Sequence, residues 1–157
     1  MTDVDMCSVI PVASMTGEDD EETELLRQSL RDAAEFVQSF EWCQGIEESY
    51  YGLGVGGVVA VFLFRIDAPP SVAEWLWTVA GDLPPCYLVP ADAATPLAAL
   101  EIYCDLMEDW VTAVRAKRPL DRVVPVRMAP TERNAAALHT RISFVRKEII
   151  PMFSASA

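Results

Sequence analysis

Ten successive residues, Val55 to Phe64, carry no charged or polar side chain and run straight into Arg65. The stretch is half the ~20 residues that a membrane-spanning helix requires. Its Val-Val-Ala-Val-Phe-Leu-Phe core is rich in β-branched and aromatic residues, so it predicts a buried strand instead. Four glycines mark its start, Gly52 and Gly54 just before it and Gly56 and Gly57 within its first three residues. They predict a hairpin that joins a strand over Ile46 to Tyr51 to one over Val58 to Ile66.

The remaining punctuation supplies the cover for such a sheet. Leu26, Leu30, Ala33, Val37 and Phe40 repeat at helical spacing and predict a helix from about Thr23 to Cys43, stopped by Gly45. Ser71-x-x-Glu74 matches a capping box, which predicts a short helix over Val72 to Ala80 ended by Gly81. A third strand is expected at Cys86 to Val89, between prolines. Thr95-Pro96 reads as N-cap and first helical residue of a helix reaching about Ala116. Two adjacent apolar stripes on it, one through Leu100, Cys104 and Met107 and one through Tyr103, Leu106 and Trp110, predict a central, largely buried helix. Val123 to Val126 is expected as an edge strand because of Pro125. Pro130-Thr131 opens a last helix that ends before Pro151. The fold class is α+β: an antiparallel sheet of three to four strands against about four helices, as a single domain over 23–157 preceded by an acidic N-terminal segment, 1–22.

Charge is divided unevenly. Residues 1–64 carry 13 acids against 2 bases, residues 115–157 carry 9 bases against 3 acids, and the whole chain has a net charge of −12. The acidic run Glu18-Asp19-Asp20-Glu21-Glu22 sits at the start of the first expected helix, where the dipole favours it by about 0.3–1 kcal/mol per well-placed charge. A chain this acidic is a poor nucleic-acid binder, and no aromatic platform accompanies Arg115, Lys117, Arg118, Arg122 and Arg127. Two acids at Asp3 and Asp5, where a secretion signal would carry bases, predict a cytoplasmic location.

Candidate chemistry is thin. Cys7, Cys43, Cys86 and Cys104 are 36, 43 and 18 residues apart, and His139 is the one histidine, so neither zinc-ligand spacing nor a disulfide framework is present. Buried free thiols are expected. The glycine cluster precedes a strand rather than a helix, so neither phosphate-binding fingerprint is met. Glu101, Asp105, Glu108 and Asp109 share one helix face but lack the Glu-x-x-His units of metal-binding bundles, which predicts a solvated face. His139 has no nucleophile signature to work with. No catalytic residue, metal or cofactor is assigned.

The string Trp77 to Gly81, then Asp82-Leu83-Pro84-Pro85-Cys86-Tyr87-Leu88, followed by Tyr103-Cys104-x-Leu106-Met107-x-x-Trp110, resembles a set of small bacterial proteins of uncharacterised function over roughly the last two-thirds of the chain. The resemblance implies a bacterial cytoplasmic origin and no activity.

Two functions are consistent with these residues. One is a non-enzymatic interaction module whose partner-binding set is Glu18, Asp19, Asp20, Glu21 and Glu22 with Trp42, Tyr50, Tyr51, Trp75 and Trp77. Its partner would be a basic protein, in the manner of an immunity-type inhibitor, or its own dimer mate. Trp75 and Trp77 are expected on opposite sides of the short helix, one of them exposed. The alternative is a small-molecule-binding protein or enzyme with a pocket between the sheet and the central helix, using Tyr50, Tyr51, Asp82 and Tyr87.

Overall fold

The computed structural model describes residues 4–154. Its elements are β1 (Ile10–Pro11), α1 (Asp20–Gln38), β2 (Gly45–Val55), β3 (Val59–Asp67), β4 (Trp75–Gly81), β5 (Cys86–Leu88), α2 (Pro96–Arg115), α3 (Glu132–Phe144) and a short α4 (Ile150–Ser154). A π-helical turn over Val145–Ile149 joins α3 to α4, so the last helix runs on through Pro151. The wider turn lies just where proline removes an N–H from the ladder.

The fold is α+β. Five antiparallel strands follow chain order, β1-β2-β3-β4-β5. Three to four strands and about four helices were expected; among the described residues there are five strands, since β1 and β4 add to the sheet while Val123 to Val126 does not, and three helices, counting α3 with its continuation α4 as one. Val72 to Ala80 is not a helix. Trp75–Gly81 pairs with β3 in the register Phe64 with Leu76, Phe62 with Thr78 and Ala60 with Ala80. Ser71 is exposed in a turn closed by Val72 N–H to Pro69 O, and Glu74 bonds Arg65 instead of capping. Trp75 and Trp77 therefore point to the same face of the sheet, as residues two apart in a strand must.

The continuous apolar run of β3 reflects cover on both sides. Ala60, Phe62 and Phe64 join Leu76 and Ala80 under Leu26, Ala33, Phe36 and Val37 of α1. Val59, Val61 and Leu63 join Trp77 and Val79 under Leu100, Tyr103 and Met107 of α2, with α3 packed behind it. Each such buried large side chain contributes about 1.5–3 kcal/mol relative to exposure. The Thr95 hydroxyl accepts from Ala98 N–H and starts α2 where the sequence predicts it.

Elsewhere the boundaries moved. The first helix starts at Asp20 and ends at Gln38, where the Ser39 hydroxyl donates to Phe36 O; Gly45 opens β2 instead of closing the helix. Val123 to Val126 forms no strand and lies along the connection from α2 to α3. The N-terminal segment crosses the sheet edge: Val4 and Val9 are buried on the α2 side, Met15 on the α1 side, and β1 between them pairs Ile10 with Tyr51. No helix among the described residues is long and apolar enough to cross a membrane.

Candidate functional site

The acidic run divides into structural and surplus charges. Asp19 is the N-cap of α1, its carboxylate accepting from Glu22 N–H at 2.8 Å, and Glu22 accepts from Gly56 N–H at 3.1 Å. That second bond clasps the helix start onto the β2–β3 turn, in which Val58 N–H bonds Val55 O and Gly57 takes φ +79°. A Cβ on Gly56 would lie 2.9 Å from Leu25 Cβ, so the clasp depends on that glycine. Glu18, Asp20 and Glu21 are exposed and take part in no ion pair among the described residues. Leu25, one turn on from Glu21, is 42% exposed beside them.

The bases of the second half lie elsewhere. Arg146 bonds Asp105 and Glu108, Arg141 bonds Asp82, and Arg115 bonds Glu132. The carboxylate strip on α2 is thus partly neutralised by the π-helical turn. The hydrogen bonds that Arg146 donates to Glu108 and Asp105 also push it further above its ordinary range, against the lowering by burial.

The aromatic residues fall into separate places. Trp42 stacks on Phe40 at 4.9 Å and meets Tyr87 edge-on at 5.3 Å, with Phe36 behind them. Tyr50 and Trp75 lie together on the α2 side, 6.1 Å apart, beside an Arg65 that bonds both Glu48 and Glu74. Tyr50 donates to Glu48, which lowers the carboxyl's pKa, aided by Arg65, and raises the phenol's. Tyr51 lies on the α1 side, its hydroxyl on Gly54 O; burial, then the nearby Glu22, pushes it up to about 12. Trp77 is fully buried, with its indole N–H donating to Ala93 O at 2.8 Å. Of the interaction set, the structure joins Glu18 to Glu22 near Tyr51 and keeps Trp42 at the far end of α1.

The polar groups of the alternative pocket do not converge. Asp82 pairs with Arg141 beside α3, and Tyr87 lies among the α1-side aromatics. Burial raises Cys86 to about 11 and Cys104 to about 12, which keeps both as unreactive thiols at neutral pH. Cys43 is buried as well, while Cys7 is exposed, against the expectation of burial. His139 is exposed, and no group of three or more His, Cys, Asp or Glu side chains among the described residues could hold a metal ion.

One grouping escaped the sequence reading: Phe36, Phe40 and Tyr87 with Arg127, whose guanidinium lies 4.6 Å from the Phe36 ring centre. Phe36 and Phe40 are four apart on α1, and that spacing was the available signal. These features define a layered α+β protein with a two-sided core, an acidic corner and an aromatic corner. Compared with known protein families, curated proteins and solved structures, the chain has no significant match.

Proposed function

We propose that the protein is a non-enzymatic interaction module that presents Glu18, Asp20 and Glu21, with the exposed Leu25 beside them, to a basic partner protein. The observation that carries this reading is that these carboxylates have no ion-pair partner among the described residues, while Asp19 and Glu22 beside them are engaged in the fold. Uncompensated charge on a rigid element steers a partner of opposite sign and speeds encounter. An apolar side chain inside an acidic rim also has the make-up of an interface centre. A cationic enzyme such as a nuclease, held in check by an immunity-type inhibitor, is the class of partner that such a surface fits. Lys117, Arg118, Arg122 and Arg133 are also without acid partners among the described residues, which favours a second copy of the chain as the other occupant.

The test is retention of a basic protein from cell extract by wild type and by the triple variant Glu18→Gln, Asp20→Asn, Glu21→Gln, which leaves the cap and the clasp intact. The reading expects a retained basic protein whose association is slowed about tenfold by the triple variant. The difference should shrink at high salt, since the Debye length is only ~8 Å at physiological ionic strength. Retention that is absent, or equal for both proteins, overturns it. Concentration-dependent self-association in sedimentation, abolished by the same substitutions, would assign the surface to a dimer mate.

A further inference from the structure

At the C-terminal end of α1, the last strand and the connection after α2 line a solvent-open cavity of about 290 Å³. Phe36 and Phe40 form one wall, Cys86 and Tyr87 another, and Val124 and Arg127 the rim. The aromatic walls are fixed by their own contacts: Phe36 meets Phe40 edge-on at 5.2 Å, and Tyr87 meets Phe40 edge-on at 5.3 Å. Arg127 is fixed too, lying over Phe36 at 4.6 Å and over Phe40 at 5.9 Å, and donating to Ser39 Oγ at 2.8 Å.

That guanidinium carries five N–H donors, and among the described residues one of them is engaged and no carboxylate pairs with it. Arg65, Arg115, Arg141 and Arg146 each bond an acid. Arg127 is therefore an exposed guanidinium held by packing at the mouth of an apolar cavity, with no carboxylate paired to it among the described residues. Tyr87, on the opposite wall, has a hydroxyl that makes no hydrogen bond among the described residues.

We propose that this cavity binds a small organic carboxylate, whose apolar body lies against Phe36, Phe40 and Tyr87 while its carboxylate takes paired hydrogen bonds from Arg127. The planar fork of a guanidinium matches the two oxygens of a carboxylate. The walls suit a single aromatic ring or a branched chain, and the volume lies just under the ~300 Å³ lower end of ligand pockets, which fits a small ligand. The site lies at the end of α1 remote from the acidic corner, so it stands independently of the interaction surface.

The probe is 3-phenylpropanoate, titrated into the full-length ¹⁵N-labelled protein, with 3-phenylpropan-1-ol and inorganic phosphate as comparisons. The readout is the amide shifts of Ser39 and Tyr87 and the Arg127 side-chain Nε–H. Saturable shifts at these positions are expected with the acid, with affinity at least about tenfold weaker for the alcohol and for phosphate. Arg127→Gln should weaken the acid about tenfold and leave the alcohol unchanged. If that variant loses its fold, the acid-against-alcohol comparison on wild type decides alone. The proposal is overturned by no saturation up to about 10 mM acid, by equal affinity for acid and alcohol, by phosphate binding as tightly as the acid, or by a folded Arg127→Gln that binds the acid as wild type does.

Discussion

Thr78 is completely buried on β4, beside Phe62 and Tyr87 in the register, and its hydroxyl has no hydrogen-bond partner among the described residues. An unmade bond on a buried polar group costs about 1–3 kcal/mol. Thr78→Val keeps the shape and removes the hydroxyl, so the urea midpoint should rise; a fall would show that the hydroxyl has a partner. Lys117 follows the end of α2 with φ 57°, its N–H on Val114 O and that of Arg118 on Ala113 O, a Schellman arrangement that glycine fits best. Lys117→Gly should stabilise by up to about 1 kcal/mol, read as a higher melting temperature; an unchanged or lower value would count against the strain. Cys86 and Cys104 titrate higher in the folded protein than in the unfolded chain, so their contribution is whole below about pH 9. It should be lost as pH rises toward 11–12, when the unfolded state releases protons first. Unfolding free energy measured between pH 9 and 11 should fall by on the order of 1 kcal/mol per pH unit, and a thiol reagent should modify Cys7 alone in the native protein at neutral pH.

Among the elements, α2 was the most legible. Thr95-Pro96 marks its start without ambiguity, and two apolar stripes can only mean contacts on two sides. Leu100→Ala or Met107→Ala, both fully buried, should cost roughly 2–5 kcal/mol in denaturation. Ser71→Ala, in contrast, should shift stability by less than about 0.5 kcal/mol, because Ser71 is in an exposed turn and caps nothing. The misreading of β4 has the same physical source as the burial of β3. A strand covered on both faces loses its polar alternation, so Trp75-Leu76-Trp77-Thr78-Val79-Ala80 shows no period, and the capping-box match decided wrongly. Its β-branched and aromatic content was the signal that remained. The two residues of β1 are too few to carry any pattern. The cavity was beyond reach because Phe36, Tyr87 and Arg127 are 51 and 40 residues apart and meet only once α1 has crossed the sheet.

At the scale of the molecule, strand order and chain order coincide. Consecutive strands from β2 to β5 are joined by short connections, so the sheet can pair locally, a topology that favours fast folding. A chain emerging from the ribosome at about 5–20 residues per second would complete the sheet, and the α1 cover of one face, several seconds before α2 and α3 exist to cover the other. For that interval Val59, Val61, Leu63, Trp77 and Val79 face water. A fragment ending after Val89 should therefore pellet on centrifugation under conditions where the full chain stays in solution; a fragment that remains dispersed would show that the bare face is tolerated. The strong negative charge of the first 64 residues is already present during that interval, and self-repulsion between nascent chains gives it a role in biogenesis that does not depend on any partner.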